Sequence, residues 1–219
     1  MVHRRHQQRA RALLRIEFSM AARVATRYAH TVQNRPTETE LKIPVAGLAP
    51  VREMLSASGG QQQHSAAREE NILLDTDDRR IASKSGVLRL RRHGSRRMLT
   101  LKGAPTYRGA IKERTEHELE ISDLETMQVI LEQLGYHVVA RYEKDRESWK
   151  IGKVMVELDH TPMGDFVELE GPPGELEVTA HSIGLDPNQA VRGSYLSLWL
   201  DFRSRSGDDD LPVDMVFGR

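Results

Sequence analysis

Glu38, Glu40 and Lys42 stand two residues apart in the stretch Glu38-Thr39-Glu40-Leu41-Lys42-Ile43. On an extended chain that spacing gathers the three charges on one face and leaves Thr39, Leu41 and Ile43 on the other. Alone, such a stretch reads as a half-buried strand with its charged face in water. Recurrence gives it more meaning. Arg89 and Arg91 share a face opposite Leu88 and Leu90, and Thr100 with Lys102 opposes Leu99 and Leu101. Arg114, Glu116, Glu118 and Glu120 line up against Thr115, His117, Leu119 and Ile121, which turns His117 away from the charges. Tyr142, Lys144, Arg146 and Ser148 form a further row. Glu157 and Asp159 oppose Val154, Val156 and Leu158, while Phe166, Glu168 and Glu170 oppose Val167 and Leu169.

Rows of carboxylates supply hard oxygen ligands of the kind Mg²⁺ and Mn²⁺ take. Arginine and lysine supply donors for phosphate oxygens. A surface carrying both signs suits a ligand that is itself highly anionic and brings a divalent cation. A metal-bound polyphosphate satisfies both sets at once.

The elements that position these rows are short and alternate with helices. After the first strand, apolar spacing predicts a helix over 45–60, stopped by Gly59-Gly60, then a polar connector at 61–65. A strand is expected at 70–76, a polar turn region at 77–86, and a hairpin of strands 87–93 and 97–102 turning at Gly94-Ser95. A loop at 103–109 precedes the long alternating strand 112–121. Ser122-Asp123 then caps a helix that ends before Gly135. Strands 136–151 and 153–161 pair around Gly152, and 165–171 is a last strand. Helices are expected at 174–183, opened by Pro172-Pro173, and at 188–200.

The class is therefore α+β, with roughly eight strands whose apolar faces need cover from amphipathic helices. Closure into an eight-stranded antiparallel barrel would turn the charged faces into a lumen, with the helices packed outside; a barrel of that size holds a small ligand. An open sheet with its charges in water has the same periodicity. The sorting of bases and acids onto different strands favours the closed form.

The 219 residues suit one domain with a real core, at 35–203. Residues 1–34 form a basic extension, either disordered or a short helix, to which no function is assigned. Residues 204–219 read as a flexible tail. With 32 basic and 32 acidic side chains the net charge is zero, so no specific nucleic-acid partner is expected. The absence of cysteine excludes disulfides and thiolate chemistry. No apolar run reaches membrane-spanning length and no leader-like apolar segment opens the chain, which predicts a cytoplasmic protein without membrane association.

Five motifs in order resemble the CYTH domain, the triphosphate tunnel metalloenzymes. They are the Glu38/Glu40/Lys42 opening, LLDTDDRRIASKSGVLRLRR, MLTLKG, RYEKDRESW, and VMVELDHTPMGDFVELEGP. The match covers about residues 37–200. The family's fold, an eight-stranded antiparallel tunnel, agrees with the lumen argument. The resemblance implies that Glu38, Glu40, Glu157, Asp159, Glu168 and Glu170 hold Mg²⁺ or Mn²⁺ and position water. It implies that Lys42, Arg89, Arg91, Lys102, Arg114, Lys144 and Arg146 bind the triphosphate, with Glu168, Lys102 and Arg146 closest to the chemistry. Tripolyphosphate, ATP and thiamine triphosphate are the substrates it suggests, for a monomer or homodimer. Water attacking the terminal phosphate would make the protein a triphosphatase. Attack by the ribose 3′-oxygen on the α-phosphate would make it a class IV adenylyl cyclase releasing pyrophosphate. A non-catalytic polyphosphate-binding module is a third reading. Aromatic residues are 5% of the chain, too few for an evident base pocket, and Trp149 falls on the outward face. That scarcity favours hydrolysis.

Overall fold

The structure, a computed structural model, describes residues 37–208 and 211–218. The expected basic extension at 1–34 lies outside the described residues. In chain order the strands are β1 (Thr37–Val45), β2 (Gln61–Asp75), β3 (Val87–His93), β4 (Arg96–Lys102) and β5 (Thr106–Arg108). They continue with β6 (Ile111–Glu120), β7 (His137–Ile151), β8 (Val154–Thr161) and β9 (Gly164–Glu170). The helices are α1 (Leu48–Ala57), α2 (Leu124–Gln133), α3 (Pro173–Ser182) and α4 (Tyr195–Ser206).

All strand pairs are antiparallel, in the order β1-β9-β8-β7-β2-β3-β4-β6, and β1 pairs with β6 to close the ring of eight. The closing register runs from Thr37 opposite Thr115 to Glu40 opposite Lys112. Closure removes both sheet edges and forces the charged faces inward. The short β5 lies outside the ring, pairing with the start of β6.

Local signals set the helix ends. Asp123 accepts from the Thr126 N–H at the start of α2, Pro173 opens α3, and Ser194 and Ser197 form a capping box on α4. Outward-facing Leu41, Val156, Leu158 and Leu169 pack with Val51 and Leu55 of α1 and Leu176 of α3. Trp149 joins this core, as its parity predicts. A second cluster sets Leu124 and Leu131 of α2 against Leu88 and Leu90.

Several expectations need correcting. The connector expected at 61–65 is strand: β2 begins at Gln61, runs on through 66–69, and pairs with β7 through three register shifts. The loop at 103–109 contains β5. The helix expected at 188–200 is instead a 3₁₀ turn, Pro187–Gln189, followed by α4, which runs to Ser206. The segment read as a loose tail is anchored at Met215, which is fully buried and bridges to Tyr142.

Met215 belongs to a third apolar cluster with Tyr142, Phe166, Tyr195 and Trp199. Tyr142 and Phe166 lie on inward-facing rows, so this cluster sits on the lumen side and closes one end of the barrel.

Candidate functional site

The inward rows meet in one cavity of about 210 Å³. Every expected site residue lines it except Asp159. Parity alone placed Asp159 correctly on the inward face. Strand tilt, however, sets it below the cavity with no exposure, where it carries the floor. Its Oδ2 accepts from Lys144 Nζ at 3.0 Å and from Tyr195 Oη at 2.6 Å. Its two oxygens together accept both Arg146 donors, at 2.7 and 2.6 Å.

Above that floor each base is met by an acid. Lys42 Nζ lies 3.0 Å from Glu168 Oε1 and donates to the Gly193 carbonyl at 3.2 Å. Burial opposes charge on Lys42, but Glu168 and then Glu40 outweigh it and raise its pKa above the ordinary value. Glu168 also bonds Arg146. Its carboxyl stays well below the usual range: burial is overcome by Lys42, Lys144 and Arg146 together. Glu38 takes Lys102 Nζ at 2.8 Å and Arg114 Nε at 3.1 Å, and Lys102 reaches Glu116 at 2.8 Å. Arg91 pairs with Glu118, and Arg89 donates to Tyr142 Oη at 3.0 Å. Glu157 accepts from Ser148 Oγ at 2.5 Å. His117 points away from the cavity, as its parity requires.

Four functional candidates were missed in the sequence. Lys112, which bonds Glu40 at 2.7 Å, shares the parity of Arg114 and was legible. Glu69 and Asn71 are buried inward on β2, with Glu69 3.6 Å from both Lys144 and Arg91. Starting the strand at 70 hid Glu69, whereas Asn71 lay within the expected strand and shares the inward parity of Glu69. Tyr195 comes from α4 and has no strand-like signal at all.

Glu170 differs from its neighbours. It reaches water at the mouth and, among the described residues, has no ion-pair partner. The surrounding protein, then the Glu38 carboxylate, push its carboxyl up to about 7. An acid crowded by acids is suited to a cation. Among the described residues no three carboxylate or imidazole groups form a ready-made metal centre, because Glu38, Glu40 and Glu168 are engaged by bases. A divalent ion therefore fits this donor set once the bases turn to another anion. No helix among the described residues is long and apolar enough to cross a membrane.

The fold and lumen define a closed antiparallel barrel whose interior carries matched opposite charges. The CYTH-domain family model matches residues 36–181, and the chain belongs to that family. A protein of Methanocaldococcus jannaschii, provisionally named an adenylate cyclase, is 27% identical over 172 residues, covering 74% of this chain and 97% of the relative. A solved structure from Vibrio parahaemolyticus, also named provisionally as an adenylate cyclase, superposes with TM-score 0.69 at 20% identity, over 76% of this chain and 99% of that one. A Hippeastrum protein with TM-score 0.55 and 18% identity, over 80% of this chain and 98% of that one, is described as a provisional adenylyl cyclase with dominant triphosphatase activity. The two solved structures support the fold.

Proposed function

We propose that this chain binds a triphosphate end-on in the tunnel and hydrolyses its terminal phosphoanhydride bond, with Mg²⁺ or Mn²⁺ held by the acids. The lining supports this reading. Eight basic side chains and seven carboxylates share one cavity, and neither tunnel tyrosine offers a free face to a nucleobase. Tyr142 is tied to Arg89, and the Tyr195 ring lies 4.1 Å beneath the Lys42 ammonium and 4.7 Å from that of Lys144.

Phosphate oxygens would replace carboxylates as partners of Lys42, Arg89, Arg91, Arg114, Lys144 and Arg146. With Lys102 and Lys112 drawn to phosphate as well, the exchange frees Glu38, Glu40 and Glu168 to join Glu170 as hard oxygen ligands, with Glu157 opposite Glu168 in register. A bound divalent cation supplies charge neutralisation and a more acidic water. Lys102 and Arg146 hold the phosphates on either side of the scissile bond, so charge developing on the leaving oxygen meets donors already in place. Glu168, kept ionised, orients the water. The water oxygen bonds to the terminal phosphorus, the bond to the leaving phosphate oxygen breaks, and the proton leaves to solvent. Asp159 stays behind the site and orients Lys144 and Arg146.

The name of the Methanocaldococcus relative favours a second reading, cyclisation of ATP to cyclic AMP and pyrophosphate. Purified protein incubated with Mg²⁺ or Mn²⁺ and with tripolyphosphate, ATP or thiamine triphosphate separates the two. Hydrolysis predicts tripolyphosphate turnover at least as fast as ATP turnover, ADP plus phosphate from ATP, and no activity in excess chelator. Cyclic AMP as the main product establishes the second reading. Binding without turnover leaves a polyphosphate-binding module.

A further inference from the structure

Tyr195 belongs to none of the charged rows, yet it touches three members of the tunnel floor. Its ring underlies the Lys42 and Lys144 ammoniums, and its hydroxyl donates to Asp159. A carboxylate in that place would neutralise both lysines and compete with an incoming anion. An aromatic face holds the ammoniums by its quadrupole and adds no counter-charge beyond those of Glu168 and Asp159.

The ring arrives from outside the barrel, at the first residue of α4, so something must hold that helix across the barrel end. The chain just before it is tied down by the Val191 N–H donating to the Lys42 carbonyl at 2.8 Å. The helix itself is held by residues 211–217. Trp199 Nε1 donates to the Pro212 and Val213 carbonyls at 3.1 and 3.2 Å, and Arg203 Nε donates to the Leu211 carbonyl at 3.0 Å. Beyond Asp145, β7 outruns β8 and leaves one side of its backbone open. Met215 fills that side: its carbonyl accepts from the Glu143 N–H at 2.7 Å and its N–H donates to the Arg141 carbonyl at 3.1 Å. Phe217 closes the arrangement, stacked on His160 and facing the Arg68 guanidinium.

We infer that Tyr195 is a positioning residue for the phosphate-binding lysines, and that residues 211–217 are the latch that seats it. This rests on the triphosphate reading of the same tunnel. One isolated bridge beside Tyr142, made by a buried methionine, thus couples a surface segment to the geometry of cations inside the barrel.

The test uses the full chain, calorimetric tripolyphosphate affinity, steady-state kinetics and tryptophan emission. Its change among variants reports Trp199, because Trp149 lies in the outer core, apart from the cluster that holds Met215. Tyr195→Leu should weaken binding about tenfold, with the loss falling on KM more than on kcat. Tyr195→Phe keeps the ring and should recover affinity to within about threefold of the parent. Removing residues 211–219 should reproduce the Tyr195→Leu loss and shift Trp199 emission to the red. Combined with Tyr195→Leu it should cause no further loss, because both act through one contact. Met215→Asp replaces the truncation if the shortened chain does not fold. Additive losses, parent-like binding by the latch variants, or Tyr195→Phe as weak as Tyr195→Leu overturn the inference. Failure of tripolyphosphate to bind the unaltered chain refutes instead the triphosphate reading; red-shifted emission in the latch variants would still show the latch seating α4.

Discussion

Asp159→Asn tests how the tunnel floor is held. The carboxylate has no exposure and receives donors from Lys144, Arg146 and Tyr195 at 2.6 to 3.0 Å. Asparagine keeps one acceptor oxygen and turns the other position into an NH₂ group that faces donors. Lys144 and Arg146 then lose a buried counter-charge, and removing one partner of a buried ion pair costs about 3–5 kcal/mol. For a chain of this size each kcal/mol moves the melting temperature by about 2–4 °C, so the variant should melt about 6–20 °C lower. Differential scanning calorimetry with and without tripolyphosphate reads the effect. Ligand at a hundred times its Kd adds about 2.7 kcal/mol by mass action and should recover part of the loss. A variant that melts within about 2 °C of the parent refutes the assignment of Asp159 to the floor.

Glu170→Gln should depend on pH. A carboxyl raised from its ordinary value to about 7 by burial and Glu38 contributes stability that is present in acid and lost as pH climbs through about 7. The variant should therefore melt above the parent at pH 8 and level with it at pH 5, though water at the mouth keeps the gain modest; an equal difference at both pH values counts against it. Arg52→Ala removes a bidentate partner of the buried Glu147 on the outer wall, which keeps Gln62 and Trp149. It should cost about 1–3 kcal/mol in denaturant titration while tripolyphosphate affinity stays unchanged. A lowered affinity would show that wall and tunnel are coupled.

Face parity was legible because the strand period is two. Glu38, Glu40 and Lys42 share a face whatever they pair with, and so do Arg89 with Arg91 and Glu168 with Glu170. The same rule sent Trp149 and His117 outward, and the structure keeps them there. Parity is silent about depth. Glu157 and Asp159 read alike, but one lines the cavity and the other lies under it, because barrel strands tilt against the axis.

What the sequence determined by itself was local: which residues face together, where Asp123, Pro173 and Gly135 start or stop helices, and that a lumen would carry both charges. Pairings between distant segments belonged to the tertiary structure. The β1–β6 contact that closes the ring joins Glu38 to Arg114, a separation no periodicity reports. Glu69 entered the lumen only because a polar run was recruited as strand by β7 and β3. Tyr195 and Met215 carry no pattern of their own. They sit where they do because α4 and the last residues pack across a barrel end that exists only once eight strands have met.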